Sequence, residues 1–129
     1  MVRGYIPDGY PKDHPIIPHG MSVALNAPAV FRFTAPSNLE RHFQAAKVLG
    51  ADTRWASLDD AGDVLSTEII TLMRKIHMPN GLKSVGFNND DGLSLAKGTV
   101  PQHRVTKLSP REANEDDLRG LFLDSMNLW

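Results

Sequence analysis

The segment from Asp59 to Met78 constrains the fold of this chain more than any other part of the sequence. Its apolar residues recur at steps of three and four, which is the spacing of one face of an α-helix. The residues on this stripe are Ala61, Val64, Leu65, Ile69, Leu72, Met73 and Ile76. Acidic residues near the start and basic residues near the end suit the helix dipole. The pattern predicts a long core-facing helix over about 60–78, ended by Pro79-Asn80-Gly81.

Other segments carry helix start and stop signals. A first helix is predicted from about Pro18 to Asn26, and Pro28 either kinks it or starts a second short helix, because its ring clashes with the preceding turn. A helix over 38–49 is predicted from Ser37 as N-cap with Glu40 three residues later. Gly50 is a natural residue to end it.

Two shorter helices are predicted toward the end of the chain. One runs near 90–97 and is ended by Gly98, and the other runs over about 115–127 with Asn114 as N-cap. Residues 1–17 are expected to be an irregular lead-in, because five of them are proline or glycine. No alternating apolar pattern is long enough to predict a strand. The expected fold is therefore an all-α helical bundle forming a single domain over 1–129.

Composition narrows the function classes. The chain has 129 residues, is 41% hydrophobic and 22% charged, and carries a formal net charge of −1. This charge gives no electrostatic reason to expect nucleic acid or an anionic membrane as a partner. There is no cysteine, which excludes disulfides, thiolate metal sites and cysteine nucleophiles. No secretory signal or apolar run of membrane-spanning length is found, so a cytoplasmic setting is expected.

His19 is the candidate metal ligand. It lies in Pro18-His19-Gly20, where proline suits the first helical position and the flanking residues restrict the backbone. Neutral imidazole is the commonest protein metal ligand, and a ligand held in this way costs little to orient. The alternative is a helix cap or a half-buried surface histidine.

The other histidines have plainer interpretations. His14 is expected in an exposed loop, because its spacing from His19 across two prolines does not match a helical metal site. His42 and His77 are expected on helix flanks, and His103 on the surface. Clustered carboxylates are explained as helix caps; they are Asp59 and Asp60, those of 89–91 and those of 115–117. Trp55 and Trp129 are explained as packing or edge residues.

The chain nevertheless resembles a known family. The run from Asp8 to Val23, with Pro28-Ala29-Val30-Phe31, is similar to the iron-containing alcohol dehydrogenases, most of all to their hydroxyacid–oxoacid transhydrogenase branch. Leu49-Gly50-Ala51-Asp52-Thr53, the stretch 105–111 and the ending from Glu115 are also similar to that branch. The resemblance covers essentially the whole chain, with its motifs in the same order.

The resemblance implies that the complete enzyme has two domains with different roles. Full-length members pair an N-terminal nucleotide-binding α/β domain with a C-terminal helical domain, and the metal lies between them on one Asp and three His. His19 matches the last of the three histidines, and the other ligands are expected upstream of Met1. The implied cofactors of the complete enzyme are iron, or another divalent metal, and a nicotinamide. The segment Val105-Thr106-Lys107 matches a family stretch near the active site, although a plain loop is the simpler interpretation.

Two functional hypotheses follow. The first is a C-terminal part of a metal-dependent oxidoreductase acting on alcohols or small 2- or 4-hydroxy acids, inactive alone because it lacks a Gly-rich dinucleotide loop. Its expected partners are an N-terminal nucleotide-binding part and a small alcohol or hydroxy acid, and a homo-oligomer is left open. The second is a non-catalytic helical domain used for packing or partner binding.

Overall fold

The computed structural model describes residues 3–129, with Val105 described by its backbone alone. Its α-helices are α1 (His19–Thr34), α2 (Leu39–Leu49), α3 (Ala61–Lys75), α4 (Gly92–Thr99), α5 (His103–Thr106) and α6 (Glu115–Asp124). Short 3₁₀ turns lie at Ala35–Ser37, Leu58–Asp60, Leu82–Val85 and Asn89–Asp91. Residues 3–129 contain no β-strand, so the predicted all-α fold is confirmed. None of the described helices combines the length and apolar character needed to cross a bilayer.

The first helix is longer than predicted. Its expected end near Asn26 is wrong, because α1 continues through Pro28 to Thr34 without a second helix starting there. Leu25 and Pro28 are among the most completely buried side chains of the structure. Proline inside a helix costs about 3 kcal/mol or more, but most helical stability in proteins comes from tertiary packing. Burial of this part of α1 outweighs the local penalty.

The start of α2 lies one residue later than predicted. Asn38 is the N-cap, and its Oδ1 accepts a hydrogen bond of 3.0 Å from the backbone N–H of Arg41. Ser37, the predicted cap, instead donates to the carbonyl of Thr34 at 2.6 Å and closes the preceding 3₁₀ turn. The predicted end is confirmed, since Gly50 has a φ of 103° in the left-handed region.

Ser57 and Asp60 form the entry to α3. The backbone N–H and hydroxyl of Ser57 both donate to Asp60 Oδ2, at 2.8 and 2.7 Å. These hydrogen bonds stabilise the carboxylate and hold the pKa of Asp60 below its ordinary value. At the other end α3 stops at Lys75, three residues before the predicted Met78, and His77 has a positive φ of 56° that ends the helical path.

The apolar stripe of α3 is buried over only part of its length. Leu65 and Met73 are each 3% exposed and belong to the interior, as predicted. Leu72 and Ile76 are 48% and 60% exposed, so their predicted place in the core is wrong. The described residues supply too few neighbouring elements to cover the whole stripe.

The last two main helices pack against each other. α4 runs over Gly92–Thr99 and passes through Gly98, which was predicted to end it. α6 stops at Asp124 rather than 127. Its predicted N-cap is confirmed, because Asn114 Oδ1 accepts a 2.8 Å hydrogen bond from the backbone N–H of Asp117 and the backbone N–H of Asn114 donates to Asp117 Oδ2 at 3.0 Å. This reciprocal capping fixes where α6 begins.

One buried cluster joins the helices into a single core. Its members are Leu25, Met73, Leu82, Val85, Phe87 and Met126. The end of α1 and the start of α3 approach closely: a Cβ added to Gly62 would stand 3.2 Å from the Cα of Arg32 in α1 and 2.9 Å from the Cβ of Ala35 in the turn that follows. Glycine at this position lets the two helices approach closely.

The turn after α3 binds the last two residues, Leu128 and Trp129, through hydrogen bonds. The Oδ1 atom of Asn80 accepts hydrogen bonds from the backbone N–H groups of Leu128 and Trp129, at 2.8 and 3.0 Å. Next to it, Leu82 N–H donates to the carbonyl of Ser125 at 2.9 Å. The indole of Trp129 packs partly against the core, whereas Trp55 is 93% exposed.

Ser66 gives a testable prediction about packing. It is fully buried in α3, and its hydroxyl finds no hydrogen-bond partner among the described residues. Replacing Ser66 with alanine should raise the free energy of unfolding by about 1 kcal/mol, because the mutant no longer buries an unpaired hydroxyl. Urea unfolding followed by circular dichroism measures the change.

Ser125 is the matched control. It is equally buried, but its hydroxyl donates to the carbonyl of Leu121 at 2.8 Å. Ser125→Ala should therefore lower the free energy of unfolding or leave it unchanged. A Ser66→Ala protein less stable than the wild type would show that this hydroxyl is paired.

Candidate metal-ligand site at the start of α1

The first turn of α1 presents His19. Pro18 is the N-cap rather than the first helical residue, with φ −53° and ψ 141°, and its carbonyl accepts the N–H of Ser22 at 2.9 Å. The hydroxyl of Ser22 donates to the carbonyl of His19 at 2.8 Å. Asn26 Nδ2 in turn donates to the carbonyl of Ser22 at 2.8 Å. These bonds fix the backbone of the turn that carries the imidazole.

The side chain of His19 is exposed to solvent. Within residues 3–129 its imidazole takes part in no ion pair and no hydrogen bond. The imidazole is therefore free of partners within the described residues and reachable from solvent. This placement differs from that of a core histidine, whose nitrogens would be buried and paired.

A partly buried ion pair anchors the segment that leads into α1. The guanidinium of Arg3 pairs with the carboxylate of Asp91, whose side chain is 9% exposed, and lies 5.9 Å from the ring centroid of Phe87. Further along, Ile16 N–H donates to the carbonyl of Tyr5 at 2.8 Å. Residues 3–18 thus follow a defined irregular path, which sets the direction from which the chain reaches His19.

The sequence did not single out Asp91 for this role. It was interpreted only as one of several helix-start carboxylates, and it does accept the N–H of Asn88 at 2.9 Å through Oδ2. Its other oxygen holds Arg3, which is 88 residues away in the sequence. Only the tertiary structure brings these two residues together.

A small pocket lies beside the face of α1 that carries His19. With 3.6 residues per turn, Ser22 and Asn26 lie within about 60° of His19 around the helix axis. Both line a cavity of about 340 Å³. Its remaining walls are apolar and consist of Ile17, Leu25, Leu82, Phe87, Leu95 and Phe122.

The other histidines do not join His19. His14 is exposed and its Nδ1 lies 3.0 Å from the carboxylate of Asp13. His42 Nε2 is 3.0 Å from Thr34 Oγ1, and its Nδ1 is 2.8 Å from the carbonyl of Asn38. His77 and His103 are exposed. Each histidine therefore has its own surroundings.

The stretch around Thr106 lies at the far end of α1. Val105 and Thr106 end the one-turn helix α5 (His103–Thr106), so this stretch is a helical turn rather than an irregular loop, and its place near the active site stays a prediction. Thr106 and Lys107 line a cleft of about 790 Å³ beside the start of α6. The loop that follows is fixed by Arg111, which donates to the carbonyl of Phe33 at 2.9 Å. Phe33 is about 20 Å along the axis of α1 from His19, at about 1.5 Å per residue.

The described residues fit part of a metal site, not a whole one. Across residues 3–129 no three His, Asp or Glu side chains come together in a metal-ligating arrangement. Structural and catalytic metal sites generally need three or four protein ligands. His19 has the exposure and the rigid backbone of one such ligand, and further donors would have to come from outside these residues.

Comparisons with known proteins assign the fold and the relatives. The family model "Fe-containing alcohol dehydrogenase family, C-terminal" matches residues 15–126. A probable hydroxyacid-oxoacid transhydrogenase of Dictyostelium discoideum is 55% identical over the whole chain, and the rat transhydrogenase is 46% identical. A crystal structure of 1,3-propanediol oxidoreductase superposes with a TM-score of 0.75 at 25% identity, over 84% of this chain and 28% of that one.

The chain matches only part of the length of each relative. The chain spans about a quarter of their length, 24% of the Dictyostelium protein and 28% of the rat protein.

The expected cytoplasmic setting is wrong: the Dictyostelium, rat and human transhydrogenases are all named as mitochondrial proteins. Composition could not reveal this, because it does not encode an organelle address. The family model, the sequence identities and the superposed helices agree, and the chain belongs to the iron-containing alcohol dehydrogenase family, where it corresponds to the C-terminal helical domain.

Proposed function

We propose that this chain is the C-terminal part of a mitochondrial hydroxyacid–oxoacid transhydrogenase. Such an enzyme would oxidise a small hydroxy acid and reduce a small oxo acid with a nicotinamide cofactor. The observation that carries the proposal is the identity of 46–55% to transhydrogenases along the whole chain, with His19 exposed on a rigid turn. The remaining parts of the enzyme, including the nucleotide-binding domain, are assigned to chain outside these residues.

In this proposal His19 provides one ligand to an iron or other divalent metal ion. The bound metal would polarise the substrate oxygen as a Lewis acid. The chain's own residues hold the ligand in place: Ser22 fixes the carbonyl of His19, and the Arg3–Asp91 pair fixes the incoming segment. Groups that orient a ligand in this way commonly affect metal affinity 10–100-fold.

The pocket lined by Ser22 and Asn26, about one and two turns along α1 from His19, provides the wall of the substrate site in this proposal. Its apolar lining excludes water from one side of the ligand, and its volume of about 340 Å³ suits a small molecule. The hydroxyl of Ser22 donates its one proton to the carbonyl of His19, and Asn26 Nδ2 uses one of its two N–H groups on the carbonyl of Ser22. In this proposal the second N–H of Asn26 is the donor that this wall offers to a substrate oxygen.

The isolated chain should show no dehydrogenase or transhydrogenase activity. Hydride transfer needs a nicotinamide held next to the substrate, and these residues offer one metal ligand and no Gly-rich phosphate loop. The test incubates the purified chain with nicotinamide cofactor, ferrous or zinc ions and small hydroxy acids. Turnover above the blank would contradict the expectation.

A chimera tests whether this chain supports transhydrogenase activity within a full-length enzyme. The region of the Dictyostelium transhydrogenase that matches this chain is replaced by residues 1–129, and the full-length protein is assayed for transfer from a hydroxy acid to an oxo acid. Activity within about tenfold of the parent supports the proposal. A folded chimera without activity would favour the second hypothesis, a helical domain with a packing role only.

A further inference from the structure

The turn that follows α3 contains a chemically labile pair of residues. Asn80-Gly81 is the one place in the sequence where glycine follows asparagine. The side-chain amide of an asparagine can be attacked by the backbone nitrogen of the next residue, and a following glycine leaves that nitrogen open because it has no Cβ. Asn80 therefore has the highest intrinsic tendency to deamidate of any asparagine in this chain.

Deamidation at this position proceeds through a cyclic intermediate. The Gly81 nitrogen gives its proton to water or hydroxide and bonds to Cγ of Asn80, while Nδ2 takes up a proton and leaves as ammonia. Water then opens the resulting succinimide ring. Cleavage at the side-chain carbonyl gives aspartate, and cleavage at the main-chain carbonyl gives isoaspartate. The reaction consumes one water and needs no oxidant, metal or enzyme.

The fold holds the Asn80 amide at both of its polar atoms. Oδ1 accepts the backbone N–H groups of Leu128 and Trp129 at 2.8 and 3.0 Å, and Nδ2 donates to the main-chain oxygen of Trp129. These three hydrogen bonds are called here the 128–129 contact. Ring closure requires the Gly81 nitrogen to approach the face of the amide, which needs strained side-chain torsions. The 128–129 contact opposes that rotation.

The attacking nitrogen of Gly81 is restrained as well. Gly81 is buried, and its N–H donates to the carbonyl of Pro79 at 3.0 Å. A hydrogen bond to the protonated form makes this nitrogen harder to deprotonate. A Cβ added to Gly81 would stand 2.6 Å from the carbonyl oxygens of Ser125 and Met126, so its peptide group has little room to turn.

The 128–129 contact is itself anchored by tertiary packing. The side chains of Leu128 and Trp129 pack partly against the core, and the guanidinium carbon of Arg74 lies 5.9 Å from the ring centroid of Trp129. We propose that Asn80 is a latent deamidation site, which the 128–129 contact keeps closed while the chain is folded. None of these contacts depends on the proposed function.

The product of the reaction prevents the 128–129 contact from re-forming. A carboxylate at position 80 has no N–H to donate to the main-chain oxygen of Trp129, and it places a negative charge beside that oxygen. Isoaspartate also inserts a methylene into the backbone next to Gly81, where there is little spare room. A molecule that has reacted once is therefore expected to remain open at this turn.

Peptide mass spectrometry measures the reaction directly. Trypsin releases Asn80 in the peptide 76–83, where it is the only asparagine, and the change in peptide mass reports loss of the amide. The chain is incubated at mildly alkaline pH, both folded and unfolded in guanidinium chloride, with circular dichroism to verify each state. The full-length chimera gives the same peptide if the chain alone does not fold.

We expect Asn80 to deamidate at least about tenfold more slowly in the folded protein, because local opening must precede the reaction. A rate in the folded protein equal to the unfolded rate, or faster, would overturn the inference. A faster rate would mean that the two N–H donors on Oδ1 stabilise the developing oxyanion instead of preventing attack.

Leu128→Pro and Leu128→Ala form a matched pair that tests the 128–129 contact itself. Proline removes the N–H that Leu128 donates to Asn80, whereas alanine keeps it and shortens the side chain. The folded Leu128→Pro protein should deamidate about fivefold faster than folded Leu128→Ala, the factor that one hydrogen bond typically contributes. Equal rates in the two folded variants would overturn the inference.

Trp129→Ala provides a second comparison if Leu128→Pro does not fold. It keeps both N–H groups that bind Asn80 but removes the indole that packs against the core and Arg74. Asn80 should deamidate faster in this folded variant than in the parent. A rate unchanged from that of the parent would also contradict the proposed role of the 128–129 contact.

Discussion

Replacing Gly81 with alanine should destabilise the chain by about 3 kcal/mol or more, one of the largest single-residue effects expected here. Gly81 has φ 70° and ψ −174°, a backbone conformation that is essentially restricted to glycine. A Cβ at this position would stand 2.6 Å from the carbonyl oxygens of both Ser125 and Met126. Those carbonyls accept hydrogen bonds from the residues that follow Gly81, so neither side can move without breaking them.

Gly50 and Gly98 separate the strain of a positive φ from the steric clash of the added Cβ. Gly50 also has a positive φ, of 103°, but a Cβ there meets nothing within 4 Å. Gly98 lies inside α4 without a positive φ and with open space around it. The account predicts a small gain of stability for Gly98→Ala, a moderate loss for Gly50→Ala and the largest loss for Gly81→Ala. Equal stabilities of the three variants in urea unfolding would contradict it.

The periodicity of the sequence predicted which segments are helical, because an apolar face leaves a local signature. Asn114 and Gly50 were identified correctly as the boundaries of α6 and α2, since capping depends on nearby residues. The continuation of α1 through Pro28 could not be predicted in this way. It depends on packing against α3, which is 27 or more residues further along the chain.

The site around His19 could also be predicted only in part, because contacts between distant parts of the chain leave no local sequence pattern. Pro18-His19-Gly20 marks a rigid helix start, and the structure places its imidazole in solvent. The Arg3–Asp91 pair that fixes the incoming segment joins residues 88 positions apart and has no local pattern. The sequence also could not show that Leu72 is exposed, because the periodicity identifies an apolar face but does not show what covers it.

Replacing His19 with alanine should remove the metal from the full-length chimera and abolish its transfer activity. The substitution deletes one direct ligand, and even changes to supporting groups weaken metal affinity 10–100-fold. Folding should change little, by about 0.5 kcal/mol or less, because the imidazole is exposed and makes no hydrogen bond within the described residues. His14→Ala is the control, since His14 is also exposed but contacts only Asp13.

The metal content of the chimera measures ligation by His19 without requiring turnover. The chimera and its two variants are purified after loading with ferrous ions, and bound metal is measured by inductively coupled plasma mass spectrometry. We expect about one metal ion per chain in the parent chimera and in His14→Ala, and at least a tenfold lower occupancy in His19→Ala at limiting metal. Full metal occupancy in a folded His19→Ala chimera would contradict the assignment of His19 as a ligand.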